Sequence, residues 1–156
     1  MTWLNITMST DALKRLSEIR GYSFNQETMK YNEDINIVYF LYEIPKHITE
    51  INNLAYNNNI VILKNKIDIF PKISAKYHSY IFFAYELLFC PIDHILVPKH
   101  RLATDSEINN LTPDLKLPII LSTDIICRWH GFPLNSIIAI EREDGTYFRK
   151  LVAADK

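Results

Sequence analysis

Cys127 and His130 stand three residues apart in DIICRWHG, a spacing that puts a thiol and an imidazole on one face of a helix. That is half of a zinc site. A closed tetrahedral site needs two more ligands, and no second pair of cysteine or histidine has suitable spacing. His94 and His100 lie six residues apart in a stretch that reads as extended, too far apart for one ion. The plainer reading is a buried cysteine and a histidine favoured by the helix dipole. Hydrolytic chemistry finds no better footing. No serine sits in a G-x-S-x-G turn. A magnesium nuclease wants an acidic residue followed by E-x-K or D-x-K on a strand; KIDIF, Lys66 to Phe70, offers Asp68 without the lysine, and ITEIN does not fit. A phosphate-cradling loop needs clustered glycines, and Gly21, Gly131 and Gly145 are scattered. No catalytic, metal or cofactor site is expected, and no small-molecule substrate.

The elements that position these residues follow from length and patterning. The chain has 156 residues, 48% hydrophobic and 22% charged, enough for one domain or two small ones with their own core. A formal net charge of −1 gives no field to collect nucleic acid or an anionic membrane. Lys64, Lys66, Lys72 and Lys76 near Tyr77 and Tyr80 make at most a weak basic edge, read as a solvated face. The longest apolar run, Tyr80 to Ile92, is broken by Glu86 and Pro91 and is too short to span a bilayer. MTWLNITMSTDALKR has no basic segment leading into an apolar core, so no secretory leader is expected, and Cys90 and Cys127 read as buried free thiols.

Ser9-Thr10-Asp11 caps a helix over Ala12, Leu13, Leu16 and Ile19, ended by Gly21. FNQETMKY reads as a second short helix from Asn25. INIVYFLY and IVIL read as buried strands with a helix over EINNLAY between them, the rhythm of an α/β unit. SAKYHSY reads as a helix and Ile81 to Cys90 as a third strand. After Pro91 the character changes. Asp93 to Arg101 reads as a linker stiffened by Pro98; Thr104 and Glu107 make a capping box. Ser122 or Thr123 caps DIICRWH, Gly131 closes it, and Asp144-Gly145 signals a hairpin. The expected fold is α+β: an N-terminal α/β part, residues 1–91, and a smaller C-terminal part of two helices and a hairpin, residues 92–156. The C-terminal apolar set, including Leu117, Ile119, Ile125, Trp129, Ile138 and Ile140, predicts that this part melts by itself.

LVPKHRLATDSEI, then LPIILSTDIICRWHGFPLNSIIAIER, then TYFRKLV resemble, in order and spacing, the C-terminal assembly domain of the fifth common subunit of eukaryotic RNA polymerases, a domain that also makes up the jawless archaeal counterpart. IRGYSFNQE and INIVYFLYE resemble segments of that family's N-terminal jaw, here shortened. This chain departs at Ile119-Ile120, where the family has arginine-isoleucine, and at Ile125, where it has proline. The resemblance implies a non-catalytic subunit that docks on the largest polymerase subunit, contacts other subunits, and sets a jaw beside downstream duplex DNA, touched weakly and only in the complex. It implies no membrane partner. It also implies an interface of Pro98, Lys99, His100, Leu117, Pro118, Asp124, Arg128, Gly131 and Arg142, with Pro98 as a stiff hinge. A divergent, trimmed, AT-biased member suggests a large DNA virus, with work in host cytoplasm (a virus factory) or the virion; a cellular eukaryotic member would work in the nucleus. The rival readings are a nuclease-like α/β enzyme and a free-standing transcription-factor adaptor.

Overall fold

The structure, a computed structural model, describes residues 10–25, 30–31, 36–41, 48–64 and 68–154. The fold is α+β, built on two sheets. Helix α1 (Thr10–Ile19) turns Ala12, Leu13 and Leu16 inward. It ends where Gly21 adopts φ 76°, with Tyr22 N–H returning to Ser17 O at 2.8 Å and Gly21 N–H to Glu18 O at 3.0 Å. Five strands form the first sheet in the order β1 (Phe24–Asn25), β2 (Lys30–Tyr31), β3 (Asn36–Leu41), β4 (Ile60–Leu63) and β5 (Ile81–Phe83). The first two pairings are antiparallel and the last two parallel. Helix α2 (Ile48–Tyr56) makes the crossover between β3 and β4.

Strand β4 shows why IVIL is apolar throughout: both of its faces are covered. Ile60 and Ile62 join Phe82, Leu13, Leu16 and Leu87 in a core under α1. Val61 and Leu63 join Ile51, Ile81 and Phe83 in a second core under α2.

The second sheet has the order β6-β8-β9-β7, from strands β6 (Lys99–Leu102), β7 (Ile119–Leu121), β8 (Ile137–Arg142) and β9 (Gly145–Val152). Strands β8 and β9 are the expected hairpin, with Arg142 opposite Gly145 across Glu143-Asp144. Helix α3 (Asp105–Asn109) begins at Thr104, whose hydroxyl accepts Glu107 N–H at 3.2 Å. Helix α4 (Ile125–His130) stands between the two sheets. No helix among the described residues is long and apolar enough to cross a membrane.

Several expectations need correcting. The helix expected from Asn25 is not formed: Phe24–Asn25 and Lys30–Tyr31 pair as antiparallel strands, with residues 26–29 outside the described residues. Ser9 and Lys66 also lie outside the described residues. SAKYHSY forms a 3₁₀ helix, Ala75–Tyr80. The third strand stops at Phe83 because Glu86 accepts Phe83 N–H at 3.0 Å and starts a 3₁₀ turn, Ala84–Leu87. The linker is the largest miss. Lys99 to Leu102 pair with β8, Lys99 opposite Glu141 and Leu102 opposite Ile138, so half of LVPKHRL is an edge strand.

Candidate docking surface

Asp124 precedes α4, Arg128 lies within it and Gly131 ends it, and each has a role inside the fold. Asp124 is the helix cap: its Oδ1 accepts Ile126 N–H at 2.9 Å and Cys127 N–H at 3.1 Å. The cap is thus neither Ser122 nor Thr123, the two expected residues; Ser122 instead accepts Ala154 N–H at 2.9 Å. Arg128 is corrected most sharply. Its side chain is 3% exposed and forms a forked ion pair with Glu86, itself 9% exposed. Nη1 also donates to Ile81 O at 2.9 Å and Nε to Thr123 O at 3.1 Å, while the guanidinium lies 4.8 Å from the Phe70 ring centre. Every part of the guanidinium has a partner inside the chain. Gly131 holds φ 69°, and a Cβ there would meet Arg20 Nε at 3.2 Å. Arg20 needs that space. It donates to Trp129 O at 3.1 Å and to Arg128 O and Ser79 O, so a cation sits on the carbonyl end of α4. In the sequence Arg20 stands out only as part of an R-G-Y segment. Glu86 stands out as the charge interrupting an apolar run, which is the signal of a buried partner.

The C-x-x-H pair is split by the same helix. Cys127 packs with Ile138, Ile140 and Leu151, and burial pushes its thiol up to about 12. The His130 ring stacks on Phe132 at 4.5 Å, and burial lowers its pKa to about 4. His78 is fully buried and ties the two sheets: Nε2–H is shared by Phe70 O and Ile73 O, each at 3.0 Å, and Nδ1 accepts from the Ser122 hydroxyl at 2.8 Å. Burial lowers its pKa below the ordinary 6.5. Both histidines therefore stay neutral in the folded chain at pH 7. In the unfolded chain they take protons near 6.5. Lowering the pH from 7 towards 4 then favours the unfolded state, because it binds more protons. We expect the melting temperature to fall steadily over that window, with the His130 ring resonance titrating near pH 4 in proton–nitrogen NMR spectra. A His130 midpoint at its ordinary value would contradict the packing described for it.

The other sequence-predicted residues gather at the hairpin. Leu117, Pro118 and Arg142 line one groove of about 550 Å³ on a flank of the β8–β9 tip, together with Leu115 and Tyr147. Arg142 is exposed and lies over the Tyr147 ring at 5.7 Å, which holds its guanidinium at the rim. Pro98 lines a second groove, which shares Arg142 and Asp144 with the first. Lys99 is exposed beside Glu141. The rest of its basic cluster, expected to face a partner, is used internally. His100 is half-buried, its Nδ1 donating to Pro98 O at 2.7 Å, and Arg101 bridges Glu141 and Glu107 at 2.7 and 2.9 Å. The hinge assigned to Pro98 is absent for the same reason: it leads directly into a paired strand.

Among the described residues no three His, Cys, Asp or Glu side chains are grouped to hold a metal ion. Residues 89–152 match the family model described as RNA polymerase Rpb5, C-terminal domain. The matched span runs from Phe89, just before the 3₁₀ turn at Pro91, to the last residue of β9, so it takes in the whole second sheet and α4. The C-terminal part of this chain is therefore similar to the C-terminal domain of the RNA polymerase subunit Rpb5.

Proposed function

We propose that the chain is a structural and assembly subunit of a multisubunit DNA-directed RNA polymerase, that it docks on the largest subunit, and that its first sheet serves as a jaw beside downstream DNA. The match over residues 89–152 carries the reading. The hairpin groove that unites Leu117, Pro118 and Arg142 supports the docking part of it. In this reading residues 1–91 are the jaw and residues 92–156 the assembly domain, acting inside the cell or, for a viral chain, in the virus factory or virion. Contact with DNA belongs to the complex, since a formal charge of −1 releases few counterions for the lone subunit.

The test is to recover the tagged protein from its native source and weigh its partners. Two very large chains should travel with it. Arg142→Ala should leave the melting temperature unchanged, because the side chain is exposed. It should still weaken assembly by on the order of 1–3 kcal/mol as a desolvated arginine contact is lost. Recovery without polymerase chains, or magnesium-dependent cleavage of duplex DNA by the purified protein, would overturn the reading.

A further inference from the structure

Strand β5 is an end strand of the first sheet: among the described residues it pairs with β4 alone, Phe82 opposite Ile62. Its outer edge presents Ile81 O and Phe83 N–H, because successive residues of a strand turn their backbone groups to opposite sides. A bare edge of this kind is a template for another chain. The template would be a strong one here, since Tyr80 to Tyr85, YIFFAY, is a β-prone run without charge or proline.

The edge is already taken. Arg128 Nη1 donates to Ile81 O at 2.9 Å, and Phe83 N–H donates to Glu86 Oε2 at 3.0 Å. Nη1 also donates to that same Oε2 at 2.9 Å, so the bonds run unbroken from carbonyl to amide. In a parallel ladder one residue opposite Phe82 would do the same, its N–H donating to Ile81 O and its C=O accepting from Phe83 N–H. The ion pair stands where that residue of a further strand would stand. Stability alone gives little reason to bury two charges there, because desolvation costs nearly what their attraction returns. An apolar pair of the same volume could pack as well, but it could not satisfy the edge. We propose that Glu86 and Arg128 form an edge cap, a side-chain substitute for a further strand that closes β5 to strand addition by a second copy of this chain. This role is independent of the polymerase reading.

Glu86→Leu with Arg128→Met, made in the full chain, separates this role from stability. The double variant leaves Ile81 O and Phe83 N–H without side-chain partners. In dilute solution its Phe83 amide should exchange hydrogen about tenfold faster than that of wild type. As concentration rises, sedimentation should show association beyond that of wild type, and the Phe83 amide should regain protection as a second chain covers it. Glu86→Gln removes the negative charge but keeps an acceptor for Phe83 N–H, so it should match wild type in both readings. In wild type the Phe83 amide should be as protected as the Phe82 amide beside it. Exchange of the wild-type Phe83 amide at the rate of a loop would overturn the cap, whatever the variants do. So would a double variant that associates no more than wild type, association that leaves Phe83 unprotected, or a Glu86→Gln chain that associates as the double variant does. If the double variant does not fold, the wild-type and Glu86→Gln amides decide alone.

Discussion

Glu86→Ala should destabilise the protein by about 3–5 kcal/mol, a large share of the 5–15 kcal/mol that usually holds a domain folded. The guanidinium of Arg128 would remain, 3% exposed, between Phe70 and Phe82 with its charge uncompensated. Phe83 N–H would also lose its acceptor, and with it the turn that ends β5. Arg128→Ala should cost a similar amount, because it strands a carboxylate and removes the bond to Ile81 O. The pair itself is a weaker source of stability than either deletion suggests, since burying both charges costs nearly what their attraction returns. Glu86→Leu with Arg128→Met should therefore recover most of the loss. Urea titration of the four proteins forms a double-mutant cycle with a large coupling term. A loss under about 1 kcal/mol for Glu86→Ala would mean that water reaches the pair freely.

The sequence made the first sheet legible wherever burial on both faces left a local mark. IVIL is apolar throughout, INIVYFLY is apolar or aromatic except at Asn36, and Gly21, Gly131 and Asp144-Gly145 punctuate where they should. It misled where two strands of two residues pair across a turn, because Phe24–Asn25 and Lys30–Tyr31 are too short to show a period of two. It misled again at Lys99–Leu102. A polar edge strand with KHRL looks like a linker, and only Arg101 between Glu107 and Glu141 reveals the pairing. The docking set was legible as a list and not as a place. Leu117, Pro118 and Arg142 meet at the hairpin, while Asp124, Arg128 and Gly131 are consumed by the fold. The deciding contacts, Arg128 with Glu86 and Arg20 with the end of α4, span 42 and 108 residues of chain. No local pattern encodes separations of that size.

The same long-range contacts revise the expectation that residues 92–156 melt by themselves. Trp129 is 0% exposed, and its neighbours are Ala12, Leu13, Leu16, Phe82 and Leu87, with the Phe82 ring 6.2 Å away edge-on. Ile125 packs on that same core, and Ile119, counted with the C-terminal apolar set, is more than half exposed. Of that set Ile138, Ile140 and Leu151 remain together, in a small cluster with Cys127. In the full chain Trp129→Ala should cost about 3–5 kcal/mol, the range for removing a large aromatic side chain from a core. A fragment of residues 92–156 should fare worse. It lacks the whole bed of Trp129, the carboxylate of Glu86 and the Arg20 cation on α4, while keeping its hairpin. Trp129 is the only tryptophan in that fragment, so its fluorescence reports the packing directly. We expect emission typical of a solvated indole and a broad, shallow thermal profile. Adding a fragment of residues 1–91 should shift the emission to the blue and sharpen the transition. A steep two-state melt of the C-terminal fragment alone, with buried-type emission, would show that α4 finds a sufficient core within its own sheet.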